Sequence, residues 1–477
     1  GCRRHQVSIR DGASYPPLAG RRAGPLRAPW QLPGLLAMVW ALLLHSADTS
    51  VAWAQAEAFL EIEKGGFFKV PILIEDFTWR DLDPVVFQGR ERAEEILVQD
   101  LLYSDAFIVM REQQDGPASG LRLDIQGRPV DQALQVRVRA AVSRDGSDLL
   151  LEGVLQDEGT GKKIFERGYE IGWDPERLEA DRWGIHRLAD EVVFFLIGTR
   201  GCAATRIAFV RARQGVKEIG MVDWDGLNER SVTCLQEIVL SPSWHPSGRW
   251  IAFTSFHLGQ PTIVSLDLLG GGLELLSNQR TPTAVAYSRD GKQVAYSTTQ
   301  DGDAEIYVAR ADGSAPRRLT VDPGIDTAPS WSPLGKRLVF TSDRWGNPQL
   351  FTINTDGSEL QQRTFAGTWN DSPDWSPTGD RIVHVCRIDG AFELALIYAD
   401  GCAWQRLTIG GGCENPRWAP DGRHVVFSRR VQGSRSLWIL DVDSGTVRQL
   451  THSKGDRYNP AWSNRAKERP SPINQGR

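Results

Sequence analysis

Apolar and polar positions in the second half of the chain repeat as one phrase. An inner strand ends on an aromatic residue, is followed by a turn of the type Ser-Pro-x-Gly, and opens into a second run such as "RLVFTS" (337–342). A variable loop, a third run such as "QLFTIN" (349–354), an Asp-Gly pair and a last strand ending in "RRLT", "WQRLT" or "RQLT" complete the unit. Proline presets one dihedral of the first turn and glycine supplies a left-handed one. Asp-Gly suits the tight turn that matches strand twist. The aromatic falls at Trp244, Tyr287, Trp331, Trp375, Trp418 and Trp462, spaced 43, 44, 44, 43 and 44 residues apart. Such a period belongs to four-stranded propeller blades.

Five full units begin at the first five aromatics. Residues 205–240 supply the second, third and fourth strands of another blade, and "YNPAWS" (458–463) supplies a lone first strand. The two remnants complete each other, so the prediction is an all-β six-bladed propeller over residues 201–466, closed by strands from both ends and free of exposed edges. Upstream the pattern changes. "FKVPILIEDF" (68–77) reads as a buried strand, 84–103 as a helix, "FIVMRE" (107–112) as a strand and 133–171 as a meander. A helix beginning near Asp174-Pro175 places Leu178, Ile185, Leu188, Val192 and Phe195 on one face. Residues 67–200 therefore form an α/β domain ahead of the ring.

Composition matters mainly at the start. Residues 3–27 carry six arginines and one acid, Asp11, and residues 35–44 ("LLAMVWALLL") are apolar throughout. Ten helical residues rise about 15 Å, half of a bilayer core. Ala52-Trp53-Ala54 then offers a small-residue cleavage site, so residues 1–54 read as a signal peptide with a basic leader. No cysteine sits just after the site, which argues against a lipid anchor. Taking six arginines and two aspartates from the 55 basic and 60 acidic residues leaves 49 and 58, a net charge of −9. That balance repels phosphate backbones and disfavours nucleic acid as a partner. Five cysteines remain: Cys202, Cys234, Cys386, Cys402 and Cys413. Cys402 and Cys413 flank one strand, about 20 Å apart, and are too distant to bridge. Cys386 and Cys413 fall on the same end of neighbouring blades and form the candidate disulfide.

Candidate chemistry is sparse. Regularly spaced tryptophans pack between blades more often than they stack on ligands. "DWDG" (223–226) is a turn without the D-x-D-x-D-G of a calcium loop. His186, His245, His257, His384, His424 and His452 show no metal-ligand spacing. A peptidase built on such a propeller needs a G-x-S-x-G elbow, and none occurs. No catalytic, cofactor-binding or metal-binding residue is expected. The alternative is a secreted propeller enzyme or carbohydrate-binding propeller that uses scattered side chains at the channel mouth.

An exported α/β domain, the junction "IGTRGCAATRIAFV" (197–210) and a six-bladed ring of W-S-P-D-G-like repeats together resemble the TolB family of the Tol–Pal system. The resemblance runs from about residue 57 to 466. It implies a monomeric, non-catalytic periplasmic adaptor without cofactor, supporting envelope integrity and constriction at cell division. Its implied partners are Pal, a peptidoglycan-associated outer-membrane lipoprotein, and TolA, an inner-membrane protein. The TolA-binding segment would correspond to Gln55, Ala56, Glu57, Ala58, Phe59, Leu60, Glu61, Ile62 and Glu63, within a flexible stretch 55–66. Strand addition is the implied mode, gated by Pal docking. The Pal-facing positions would be Thr281, Ala284, Asp326, Thr327, Asn370, Asp371, Glu414, Asn415, Tyr458 and Asn459, in the loops entering each inner strand. Residues 467–477 read as a tail.

Overall fold

The computed structural model describes residues 69–80, 90–111, 124–130, 132–145, 148–171, 182–213, 215–277, 279 and 281–465. The expected signal peptide (1–54), the segment 55–66 and the tail 467–477 lie outside the described residues. No helix among the described residues is long and apolar enough to cross a membrane.

The first sheet is mixed. Strands β1 (Val70–Ile74), β2 (Thr78–Trp79), β3 (Phe107–Arg111), β4 (Val136–Asp145), β5 (Asp148–Asp157) and β6 (Lys163–Ile171) are ordered β3-β1-β4-β5-β6, with β2 beside β4. β1 runs parallel to β3 and β4, whereas β4, β5 and β6 form an antiparallel meander. Helices α1 (Arg90–Tyr103) and α2 (Arg182–Ile197) pack on each other, α2 also lies against β5 and β6, and Ile72, Leu97, Leu101, Val138, Leu151 and Leu188 are buried in one cluster. Ile185, Leu188 and Val192 face inward as the helical periodicity requires, together with Ala189 and Val193. Phe195 departs from that expectation. It is 39% exposed and leans on Phe165 with ring centroids 5.0 Å apart, at the rim of the helix–sheet contact.

The ring consists of six four-stranded antiparallel sheets. Five are continuous in sequence, with inner strands Val239–Trp244, Thr283–Tyr287, Asp326–Trp331, Asn370–Trp375 and Cys413–Trp418. In the sixth blade the inner strand Asp456–Trp462 pairs with Arg206–Arg213, Trp462 opposite Ile207. The expected closure is thus present, and the fold is an α/β domain followed by an all-β six-bladed propeller.

Two recurring devices tie the blades together. The first is the aromatic at the end of each inner strand. Trp244 donates its indole N–H to Ala461 O (3.1 Å), Trp331 to Ala286 O (3.0 Å) and Trp418 to Asp374 O (3.0 Å), each crossing to the preceding blade. A buried indole needs such an acceptor, and here it doubles as a clamp. The second is the threonine that ends each "RLT"-like phrase. Thr320, Thr364, Thr408 and Thr451 accept the amides of Ile306, Leu350, Leu394 and Leu437, at 2.9, 2.9, 2.9 and 3.0 Å. In blades two to four the same hydroxyl donates to a buried acid or amide, Glu305 (2.5 Å), Gln349 (2.6 Å) or Glu393 (2.7 Å).

Cys386 and Cys413 are both free and buried, so the candidate bridge between them is not formed. Cys413 instead sits 3.5 Å from the hydroxyl of Thr408 at the end of the preceding blade, and burial raises both thiols.

The α/β domain docks on the ring through the turns that follow the inner strands of blade five and close blade six. Asp190 of α2 accepts the amides of Ala203 (2.7 Å) and Ala204 (3.1 Å), fixing the junction segment against the helix. Only glycine fits beside it: a Cβ on Gly201 would stand 2.4 Å from the Asp190 carboxylate. Trp224, 1% exposed, donates to Asp100 of α1 (2.9 Å), whose other oxygen meets His186 Nδ1 of α2 at 2.6 Å. Arg448 lies over both Tyr103 and Trp224, 4.1 and 4.8 Å from their ring centroids. One apolar cluster runs through both domains, from Leu188 and Val192 to Phe209, Val426 and Trp462.

Candidate functional site

Each inner strand runs from a loop at one mouth of the channel to a turn at the other. Six extended residues cover about 20 Å. Because the turn of blade five (Asp421, His424) faces Cys202 next to the α/β domain, the loops entering the inner strands lie at the opposite mouth. The ten expected Pal-facing residues all belong to that end.

A backbone feature repeats there that the sequence did not announce. Ser241, Ala284, Ala328, Ser372, Asn415 and Asn459 hold φ values of 50, 50, 51, 52, 51 and 49°. In every blade the pairing register shifts at that place, as between Thr327 and Ser330 or Tyr458 and Ala461. These are six equivalent β-bulges, each with a non-glycine residue in the left-handed region. A bulge re-aims the following side chain and twists the strand. Asparagine tolerates such a φ, and Asn415 and Asn459 were the one available signal; alanine at Ala284 and Ala328 gave none.

The bulges sort the candidate residues. Asp326 and Asn370 are 0% exposed. Asp326 is paired with Arg344 (2.8 Å), and Asn370 donates to Gln349 Oε1 (2.9 Å) and faces His384 Nε2 (3.0 Å). Asp326 ties its own blade, Asn370 joins blades three and four, and both are closed to a partner. Thr281 is exposed, while Ala284, Thr327, Asp371, Glu414, Asn415, Tyr458 and Asn459 are half-buried. Asp371 accepts from Thr341 (2.9 Å), Glu414 pairs with Arg435 (3.1 Å), and Arg435 also lies 5.3 Å from the Tyr458 ring centroid. Asn415 reaches back one blade to Ser372 and Asn459 on to Ser241 of the next, both at 3.4 Å. The mouth is a polar collar of alternating hydroxyl, carboxylate and amide groups. The TolA-binding positions from Gln55 to Glu63 lie outside the described residues.

Below the collar the channel encloses about 130 Å³, lined by Ser243, Ala286, Ser330, Asp374, Arg417 and Ala461, the residues just ahead of the aromatics. Burial raises the Asp374 carboxyl even though Arg417, the Trp418 amide and the Ser330 hydroxyl favour its charge. Two of the histidines, which show no metal-ligand spacing in the sequence, meet acids only in the fold. Folding brings His424 to Asp421 (2.6 Å) and Cys202, and His186 to Asp100 and Asp225. Each set spans less than 4.8 Å between ligand atoms. In the first set the hydrogen bonds within it account for the arrangement; in the second His186 bonds Asp100, and Asp225 pairs with Arg182. Burial opposes charge on both His424 and Asp421, but their mutual attraction prevails, raising the former and lowering the latter.

A closed six-bladed propeller with an α/β domain seated on one end and a polar collar at the other defines a two-domain propeller protein. The family model described as the TolB beta propeller domain matches residues 195–466, and the chain belongs to that family. It is 36% identical over 239 residues to the Tol-Pal system protein TolB of Anaeromyxobacter dehalogenans, covering 49% of this chain and 54% of the relative. To the protein of the same name from Bordetella avium it is 34% identical over 302 residues, covering 60% and 63%. The chain thus spans about half to two thirds of the length of these relatives. The crystal structure of TolB from Acinetobacter baumannii shares the fold, with a TM-score of 0.69, 24% identity, and coverage of 83% of this chain and 97% of that one.

Proposed function

We propose that the chain is a non-catalytic periplasmic adaptor of a Tol–Pal system, holding a Pal-like lipoprotein at the open mouth of its propeller and a TolA-like protein through its N-terminal segment. The observation that carries this reading is the asymmetry of the ring. One mouth faces the α/β domain, and the other presents six bulged strand entries whose side chains differ from blade to blade. Regular backbone with irregular side chains suits recognition of a folded partner, and among the described residues the channel lining offers no array of acids and bases such as hydrolysis requires. Support also comes from the relatives named for the Tol–Pal system.

The test is capture from a detergent-solubilised envelope. Asp371→Lys combined with Glu414→Lys should weaken recovery of the lipoprotein about tenfold or more, as buried charge reversal at an interface does, while the melting temperature stays within a few degrees. Undiminished recovery refutes the placement at this mouth. Asp326 is unsuitable for that test, because removing it strands Arg344. Deleting residues 55–63 should abolish TolA capture and spare Pal capture.

A further inference from the structure

We propose that the channel of this propeller holds a small oxyanion, a carboxylate or phosphate group, between Arg289 and Arg417. This goes beyond the adaptor reading and does not depend on it.

The turn after each inner strand carries proline at its second position in four blades, as Pro246, Pro333, Pro377 and Pro420, and asparagine in the sixth, as Asn464. Blade two alone reads Ser-Arg-Asp-Gly, and its Arg289 lines the channel together with Pro246, Pro420 and Asn464. Proline is the better turn former at that site, so blade two gives up local turn stability to set a guanidinium in the wall. Across the cavity stand Arg417 and Asp374.

Donors and acceptors there do not balance. Asp374 is occupied: Oδ1 accepts the Ser330 hydroxyl at 2.9 Å and Oδ2 the Trp418 amide at 2.7 Å. Arg417 uses one nitrogen on its neighbour Pro416 O (2.8 Å), leaving the others free to turn inward. Arg289 has no hydrogen-bond or ion-pair partner among the described residues; burial depresses its guanidinium, and the charge of Asp374 opposes that. Two cations thus face one carboxylate, each of whose oxygens already accepts one hydrogen bond. The half-buried Arg289 guanidinium has no protein acceptor and is free to take one from a ligand. An oxyanion accepting two parallel N–H bonds is the group that matches its fork. The cavity volume of about 130 Å³ equals roughly four liquid waters, enough for phosphate or a carboxylate and too small for a nucleotide. A metal cation would meet net positive charge.

Isothermal titration of the purified full chain with sodium phosphate and, separately, sodium acetate, at ionic strength fixed with sodium chloride, tests this. The expected result is saturable one-site binding of at least one anion, weakened about tenfold or more, ~1.4 kcal/mol, in Arg289→Pro, which gives blade two the turn of its neighbours. Arg289→Gln, which keeps the stem and removes the charge, should behave alike and serves if the proline variant misfolds. Binding of phosphate alone identifies a phosphate site, and binding of acetate identifies a carboxylate site. Absence of saturable binding, or equal affinity in wild type and Arg289→Gln, overturns the proposal.

Discussion

His384 sits wholly buried in blade four, where desolvation pushes its imidazole down to about 3. The unfolded side chain titrates near 6.5. Between those values the unfolded chain binds a proton that the folded one refuses, so stability declines as pH falls below about 6.5, by up to ~1.4 kcal/mol per pH unit. His384→Gln should flatten that acid limb when melting temperature is followed from pH 7.5 to 5. Asp190 acts in the opposite sense. Burial raises its folded value to about 6 from an ordinary 3.8. Its contribution is therefore complete below about 3.8 and is lost as pH climbs through 6. Asp190→Asn should gain on the wild type as pH rises from 5 to 7, apart from a constant offset for the acceptor withdrawn from Ala203 or Ala204. A pH-independent difference would show that Asp190 is not the titrating group.

At the scale of the strand, the threonine clamp predicts a localised weakness. Thr408→Val keeps shape but strips the acceptor from Leu394 N and the donor from buried Glu393. The expected loss is ~1–3 kcal/mol, read as a lower urea midpoint at unchanged slope, with Thr408→Ser recovering most of it. The "RLT" endings were visible in the sequence as strand ends, because spacing and turn residues report backbone. Their clamp was not, since the partner lies 15 positions upstream, at Glu393 for Thr408. The same limit applies to the mouth. Trp331, the Ser-Pro-Leu-Gly turn and the strand after it could be placed from periodicity alone. The bulge at Ala328 could not, because alanine has no propensity for that φ. Asp326 looked like an exposed loop acid but is sealed by Arg344, a residue 18 positions later. The cysteine pairing failed for a related reason: blade-level placement fixes which end a residue occupies, not which way its side chain turns.

For the whole molecule, Trp224 is the element through which ring and α/β domain read each other. It touches Asp100, Tyr103, His424 and Arg448 from a single buried position. Trp224→Ala should cost ~3–5 kcal/mol at the contact and leave the blades intact. Limited proteolysis should then cut near residues 198–205, releasing a protease-resistant propeller. Simultaneous loss of both parts would mean that the ring depends on its docked domain. The order of the domains and the number of blades were legible in the sequence. This contact was not, because Asp100, His186, Cys202, Trp224 and His424 come together from five distant segments.

The pairing of Asp456–Trp462 with Arg206–Arg213 joins segments separated by about 250 residues, which makes ring closure the longest wait in folding. A chain that emerges from its N-terminus presents the edge of Arg206–Arg213 to solvent until nearly everything else has been made. Loop closure of that span must precede any reward from the contacts. Until then the open edge can recruit another chain in place of its own last strand. A chain stopped before Asp456 would therefore be lost less through a missing surface than through aggregation during its own biogenesis.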